Sequence, residues 1–144
     1  MKCALVTVPV MATETDVQLI KITDDVKKAV RESGIRDGIV FVITAHTTTG
    51  ITVNESLPCV ERDLLESMDR LVPTDIPYNH NHFLHSYGTI GGNTPGHIKA
   101  MLTGNHCVYP IQGGQPVIGD AQDIYFAEYD GIKKRTFYIY MMGE

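Results

Sequence analysis

Tryptophan is absent from the 144-residue sequence, and cysteine occurs only three times, at Cys3, Cys59 and Cys107. An odd count with no C-x-x-C spacing argues against a disulfide framework and for the reduced thiols of a cytoplasmic protein. Cys59 and Cys107 fall in apolar stretches and read as small core residues. Basic runs are also missing. Twelve Lys and Arg stand against 17 Asp and Glu, a formal net charge of -5, so nucleic acid finds no electrostatic footprint. No apolar run reaches transmembrane length. The opening "MKCALVTVPVMATET" has one lysine and an apolar run cut by Thr7 and Pro9, a poor signal peptide. No G-x-x-x-x-G-K-[ST] occurs, which excludes ATP binding by a P-loop, and no serine has the context of a nucleophile elbow. These absences leave a cytoplasmic protein without nucleic-acid or membrane partners, read as a single domain over 1–144.

What is present is a chain of short alternating elements. "KCALVTVPV" and "DVQLIKI" read as two strands of a hairpin. A helix follows, with Thr23 as N-cap, Asp24 and Asp25 at its positive end and Gly34 as its stop. "GIVFVITA" is continuously apolar and β-branched, the pattern of a central strand buried on both faces. A second helix is expected from about Ser56 to Leu71, burying Leu57, Val60, Leu64, Met68 and Leu71. A long loop over 75–93 is ordered by Tyr78, Phe83 and Tyr87. "NTPGHIKAMLTGN" gives a third helix with Thr94 as N-cap and Pro95 in the first turn. The last forty residues form an antiparallel meander with a Gly-Gly hairpin at 113–114. The sum is an α+β fold of antiparallel sheets with about three helices.

The six histidines are unevenly placed. His46 ends the apolar strand in "AHTTTG", His80, His82 and His85 lie in the long loop, and His97 opens the third helix. Only His106 has an unremarkable address, at the start of a strand. Taken singly, each loop histidine reads as solvated. Taken together, His46, one or two loop histidines and His97 read as a metal or anion site, since three imidazoles suffice for a catalytic zinc with an open position. "HTTTG" supplies hydroxyl donors suited to phosphate oxygens. Glu55 reads equally as a general base and as a carboxylate at a helix start.

In order and spacing, "AHTTTGITVNE", "RLVPTDIPYNHN", "GHIKAMLTGN" and "AQDIYFAEYDG" resemble the signature segments of the YjbQ family. That family consists of small single-domain proteins named for a weak, secondary thiamine-phosphate-synthase activity, and the resemblance runs from about Thr7 to Tyr140. It implies a sandwich-like α+β fold, a homotrimer, and a histidine-lined cleft near a subunit interface. Carried over by position, His46, His80 and His97 are the implied metal ligands, with His82 or His85 as substitutes for His80. Zinc suits three imidazoles better than magnesium, which prefers oxygen ligands. Asn54 and Glu55 are the implied catalytic residues, with Glu55 shuttling a proton. Thr47, Thr48, Thr49, Asn93, Lys99 and Gln122 are the implied contacts to a phosphorylated small-molecule substrate. The implied reaction is a metal-assisted transfer that joins a pyrimidine diphosphate to a thiazole phosphate and releases pyrophosphate. A metallohydrolase and a non-catalytic trimeric binder of metal or phosphometabolite are the alternatives. Two departures from the family pattern concern the cleft wall. "GDAQ" stands where the family reads Gly-Thr-Trp-Gln, and "DGIKKR" where it reads Asp-Gly-Pro-Arg, which removes a tryptophan and shifts an arginine.

Overall fold

The computed structural model describes residues 1–13, 17–82 and 92–144. Among the described residues, eight strands and four helices follow in chain order: β1 (Lys2–Met11), β2 (Gln18–Lys21), α1 (Thr23–Ser33), β3 (Gly38–Ile43), β4 (Thr49–Glu55), α2 (Pro58–Leu71), the four-residue α3 (Asn79–His82), α4 (Thr94–Thr103), β5 (His106–Gln112), β6 (Gln115–Pro116), β7 (Gln122–Glu128) and β8 (Lys134–Gly143). The α+β reading with antiparallel sheets and three principal helices holds. Phe83, Tyr87 and His85 lie outside the described residues. No described helix is long and apolar enough to cross a membrane.

The strands form two sheets. The larger has the order β1-β8-β3-β5-β6 and the smaller β2-β7-β4, with antiparallel pairing throughout. Alternation along the strands sends Val40, Val42, Phe137, Ile139 and Met141 of the larger sheet inward. They meet Ile51, Ile124 and Phe126 of the smaller sheet, and α1 adds Val26, Ala29 and Val30 to the same core. The other face of the smaller sheet is covered by α4, through Ala100 against Ala127 and Tyr129. It is covered also by α2, through Tyr125 Oη donating to Glu61 Oε1 at 2.7 Å.

Several expectations are corrected by this arrangement. β1 and β2 form no hairpin: β1 pairs with β8 and β2 with β7, in different sheets. The strand buried on both faces is β7, where Ile124 through Glu128 are all buried, because it lies between β2 and β4 with core on one side and helices on the other. β3 alternates instead, with Val40 and Val42 inside and Ile39 41% exposed on the outer face. No residue of α2 is fully buried, and Cys59 on its first turn is exposed. Thr23 does not cap α1 through its side chain. Its hydroxyl donates to Asp123 Oδ1 at 2.5 Å and accepts from the Ile124 amide at 2.9 Å, tying the helix to β7.

Candidate functional site

The loop after β3 is built by its own threonines. Thr44 and Thr49 share a hydroxyl–hydroxyl bond of 2.6 Å across its base, and both are buried. Thr48 is buried too, and its Oγ1 accepts from Arg135 at 2.9 Å. These hydroxyls are committed to the protein, so of the three threonines expected to bind substrate, Thr47 alone is exposed and makes no side-chain hydrogen bond among the described residues.

Arg135 does more than hold Thr48. Its guanidinium grips the fully buried Glu128 through Nε at 2.7 Å and a second nitrogen at 2.9 Å. The bidentate fork to a buried carboxylate raises the Arg135 pKa. The arginine of "DGIKKR", shifted relative to the family pattern, therefore reaches the threonine loop. Sequence reasoning missed Glu128; the only sign was a carboxylate inside the apolar run "DIYFAEY".

His46 is positioned by the next residue of β8. The Thr136 amide donates to His46 Nε2 at 3.2 Å, so the neutral ring carries its proton on Nδ1. Across from it stands α4, brought close by two glycines. A Cβ on Gly50 would meet the Thr103 side chain at 2.5 Å, and one on Gly96 would meet the Tyr129 carbonyl at 2.7 Å. Only hydrogen fits at either place, and α4 therefore lies with its last turn against β4 and its first turn against the end of β7. The result is a cleft of about 350 Å³ lined by His46, Thr47, Thr49, His97, Ala100 and Asn105. His80 joins through its ring, edge to face with His97 at a centroid separation of 5.7 Å. The three histidines singled out from the sequence thus converge from three segments.

Their geometry does not suit one metal cage. Two imidazoles bound to one tetrahedral zinc have centroids about 5 Å apart, so His80 and His97 have a suitable spacing. His46 does not fit, because a neutral imidazole has one acceptor nitrogen and the Thr136 amide occupies it. Among the described residues no three His, Cys, Asp or Glu side chains form a metal-holding group.

The carboxylate and amides expected beside the histidines lie elsewhere in the chain. Glu55 ends β4, paired with Gln122 at the start of β7, whereas Thr49 at the cleft end of β4 pairs with Glu128. Six strand steps, about 20 Å, separate Glu55 from Thr49. Glu55 is exposed, and Asn54 Oδ1 accepts from its amide at 2.9 Å. Gln122 Oε1 accepts from the Gly119 amide at 3.0 Å. The cause is secondary structure: "ITVNE" continues as strand to its last residue, so the Asn-Glu pair is carried away from the loop. Asn93 and Lys99 lie on the far side of α4, in a second cavity.

The family model described as UPF0047 protein YjbQ-like matches residues 8–144. The chain belongs to the YjbQ/UPF0047 family. Among its relatives, UPF0047 protein YugU of Bacillus subtilis is 36% identical over 140 residues, covering 96% of this chain and 99% of that one. A UPF0047 protein of Methanocaldococcus jannaschii is 35% identical over 128 residues, covering 88% and 86%. Solved structures of the YjbQ/UPF0047 kind superpose closely. A YbjQ-like protein from Sulfolobus solfataricus gives a TM-score of 0.90 at 28% identity, covering 99% of both chains. A YjbQ/UPF0047 family protein from Clostridium acetobutylicum gives 0.85 at 38% identity, covering 95% of this chain and 99% of that one.

Proposed function

We propose that this YjbQ/UPF0047 protein is a group-transfer enzyme whose His46–His97 cleft holds the phosphoryl groups of a small molecule, with thiamine-phosphate formation as the reaction it fits. One observation carries the reading: two histidines from separate elements open on one cleft with the free hydroxyl of Thr47, and a backbone amide sets the tautomer of one of them. In the reaction, a thiazole nitrogen attacks the methylene carbon of a pyrimidine diphosphate. The C–N bond forms, the C–O bond breaks, and its electron pair leaves on pyrophosphate. Hydrogen bonds from His97 and Thr47 to the departing oxygens would be stronger in the transition state than in the ground state, which is what accelerates such a step. His46 takes no part as a metal ligand in this reading, because the Thr136 amide occupies its acceptor nitrogen. The test is turnover of the two phosphorylated substrates. His97→Ala should lower it by two to three orders of magnitude, the usual effect of removing one such donor. Glu55→Gln, at the far end of β4 about 20 Å from Thr49, should leave it intact. Equal turnover in His97→Ala and the parent protein would refute the assignment.

The same reading includes assembly as a homotrimer. The outer face of the larger sheet carries Leu5, Tyr140, Phe41 and Val108 in one cross-strand row. Leu5 is 62% and Val108 45% exposed. Further copies of this chain are the proposed cover, because β3 has the two-sided apolar composition of a strand that meets protein on both faces.

A further inference from the structure

The cavity on the far side of α4, about 330 Å³, is walled by Asn93, Lys99, Tyr129, Asp130, Gly92 and Gly131. It shares no lining residue with the histidine cleft. Lys99 is only 2% exposed, and among the described residues its ammonium bonds to one partner, Asp69, which is itself 63% exposed. Two of the three N–H donors of the buried ammonium therefore have no partner among the described residues. Opposite in character is Asn93. Its Nδ2 donates to Asp130 Oδ2 at 3.0 Å, while its Oδ1 is buried and accepts nothing. Asp130 lies in the same wall, bound by Lys133 at 2.5 Å. Burial works against its ionisation, but the Lys133 ammonium and the Asn93 amide outweigh it and hold the carboxyl below the ordinary aspartate range.

The cavity thus offers unused donors at one side and unused acceptors, one of them anionic, at the other. A buried carbonyl oxygen without a donor is costly. One water would satisfy Asn93, but a water takes about 30 Å³ of liquid volume, far less than this space. A phosphate dianion is disfavoured, because its second negative charge is repelled by Asp130. We propose that this cavity is a second small-molecule site, separate from the histidine cleft, that takes a small carboxylate bearing an adjacent hydrogen-bond donor, an α-amino or α-hydroxy acid. The ligand's carboxylate meets Lys99, and its α-amino or α-hydroxyl group donates to Asn93 Oδ1 and Asp130. The proposal does not depend on the transferase reading.

Amide and side-chain NMR of the full chain tests it, with L-serine and L-lactate as probes and propionate and inorganic phosphate as controls. Serine or lactate should shift the Asn93 side-chain NH₂ and the Gly131 amide saturably, while propionate, lacking the donor, leaves them in place. Phosphate should leave these signals unmoved. Lys99→Met should weaken the response about tenfold, the effect of losing a charge-assisted hydrogen bond. Asn93→Ala, which spares the buried ammonium, should weaken it also and abolish the preference over propionate. The proposal is overturned if neither acid shifts these signals, if propionate shifts them equally, or if Asn93→Ala binds as the parent does.

Discussion

His46 shows how one hydrogen bond decides what a residue does. Its Nε2 lone pair is spent on the Thr136 amide, which leaves Nδ1–H as the polar group of the ring. Metal content of protein purified without chelator should therefore be the same in His46→Ala as in the parent; a fall would make His46 a ligand. Arg135 carries the opposite lesson, that a buried charge is safe only with its partner. Arg135→Met leaves the fully buried Glu128 without its ion-pair partner, a loss of about 3–5 kcal/mol by denaturant titration. Arg135→Met combined with Glu128→Leu should recover most of that loss. Asp130 gives the pH dependence. Its folded pKa lies below the ordinary 3.8, so its pairing stabilises the fold fully above that value and is lost as pH falls through the folded pKa. Asp130→Asn should remove that part of the acid dependence below pH 3.8, leaving the curve above it parallel to the parent's. The thiols separate by burial: Cys3 and Cys59 are exposed, while burial pushes Cys107 up to about 12. A thiol reagent at neutral pH should modify the first two and spare the third.

At the scale of elements, the site depends on where α4 comes to rest. Gly96 faces the Tyr129 carbonyl so closely that a methyl group there must displace the helix. Gly96→Ala should cost about 1–3 kcal/mol in denaturant titration and weaken phosphate binding by moving His97; unchanged stability and binding would mean that the close approach is dispensable. The sequence made some of this legible. The histidines announced themselves by standing at the ends of regular elements, and three of them do meet. Helix α4 followed from Pro95 in its first turn and from Gly104. What was not legible depended on tertiary pairing. Whether "ITVNE" stops or runs on as strand is not a local property, and that alone decides whether Glu55 sits at the cleft or about 20 Å from its near end. Period-3.6 patterning gave α2 its apolar stripe but could not say that this stripe would be only half-buried in the described chain. The pairing of β1 with β8 joins the two ends of the chain, a contact that no local pattern encodes.

For the whole molecule, the asymmetry between the two sheets is the governing fact. The smaller sheet has core on one face and helices on the other, whereas the outer face of the larger one carries Leu5, Ile39, Phe41, Val108 and Tyr140 with nothing in the described chain over them. Phe41→Asp should convert a trimer to monomer in sedimentation equilibrium while far-UV dichroism stays the same. A parent protein that sediments as a monomer at micromolar concentration would remove the assembly from the account.

The central claim, that the His46–His97 cleft is a phosphoryl site, is reached most directly by calorimetric titration of pyrophosphate into the metal-free parent protein and into His97→Ala. Saturable binding of one pyrophosphate per chain is expected for the parent, weakened about tenfold or more when His97 is removed, as a lost charge-assisted hydrogen bond requires. Binding of equal strength in the two proteins, or none in the parent, would contradict the account.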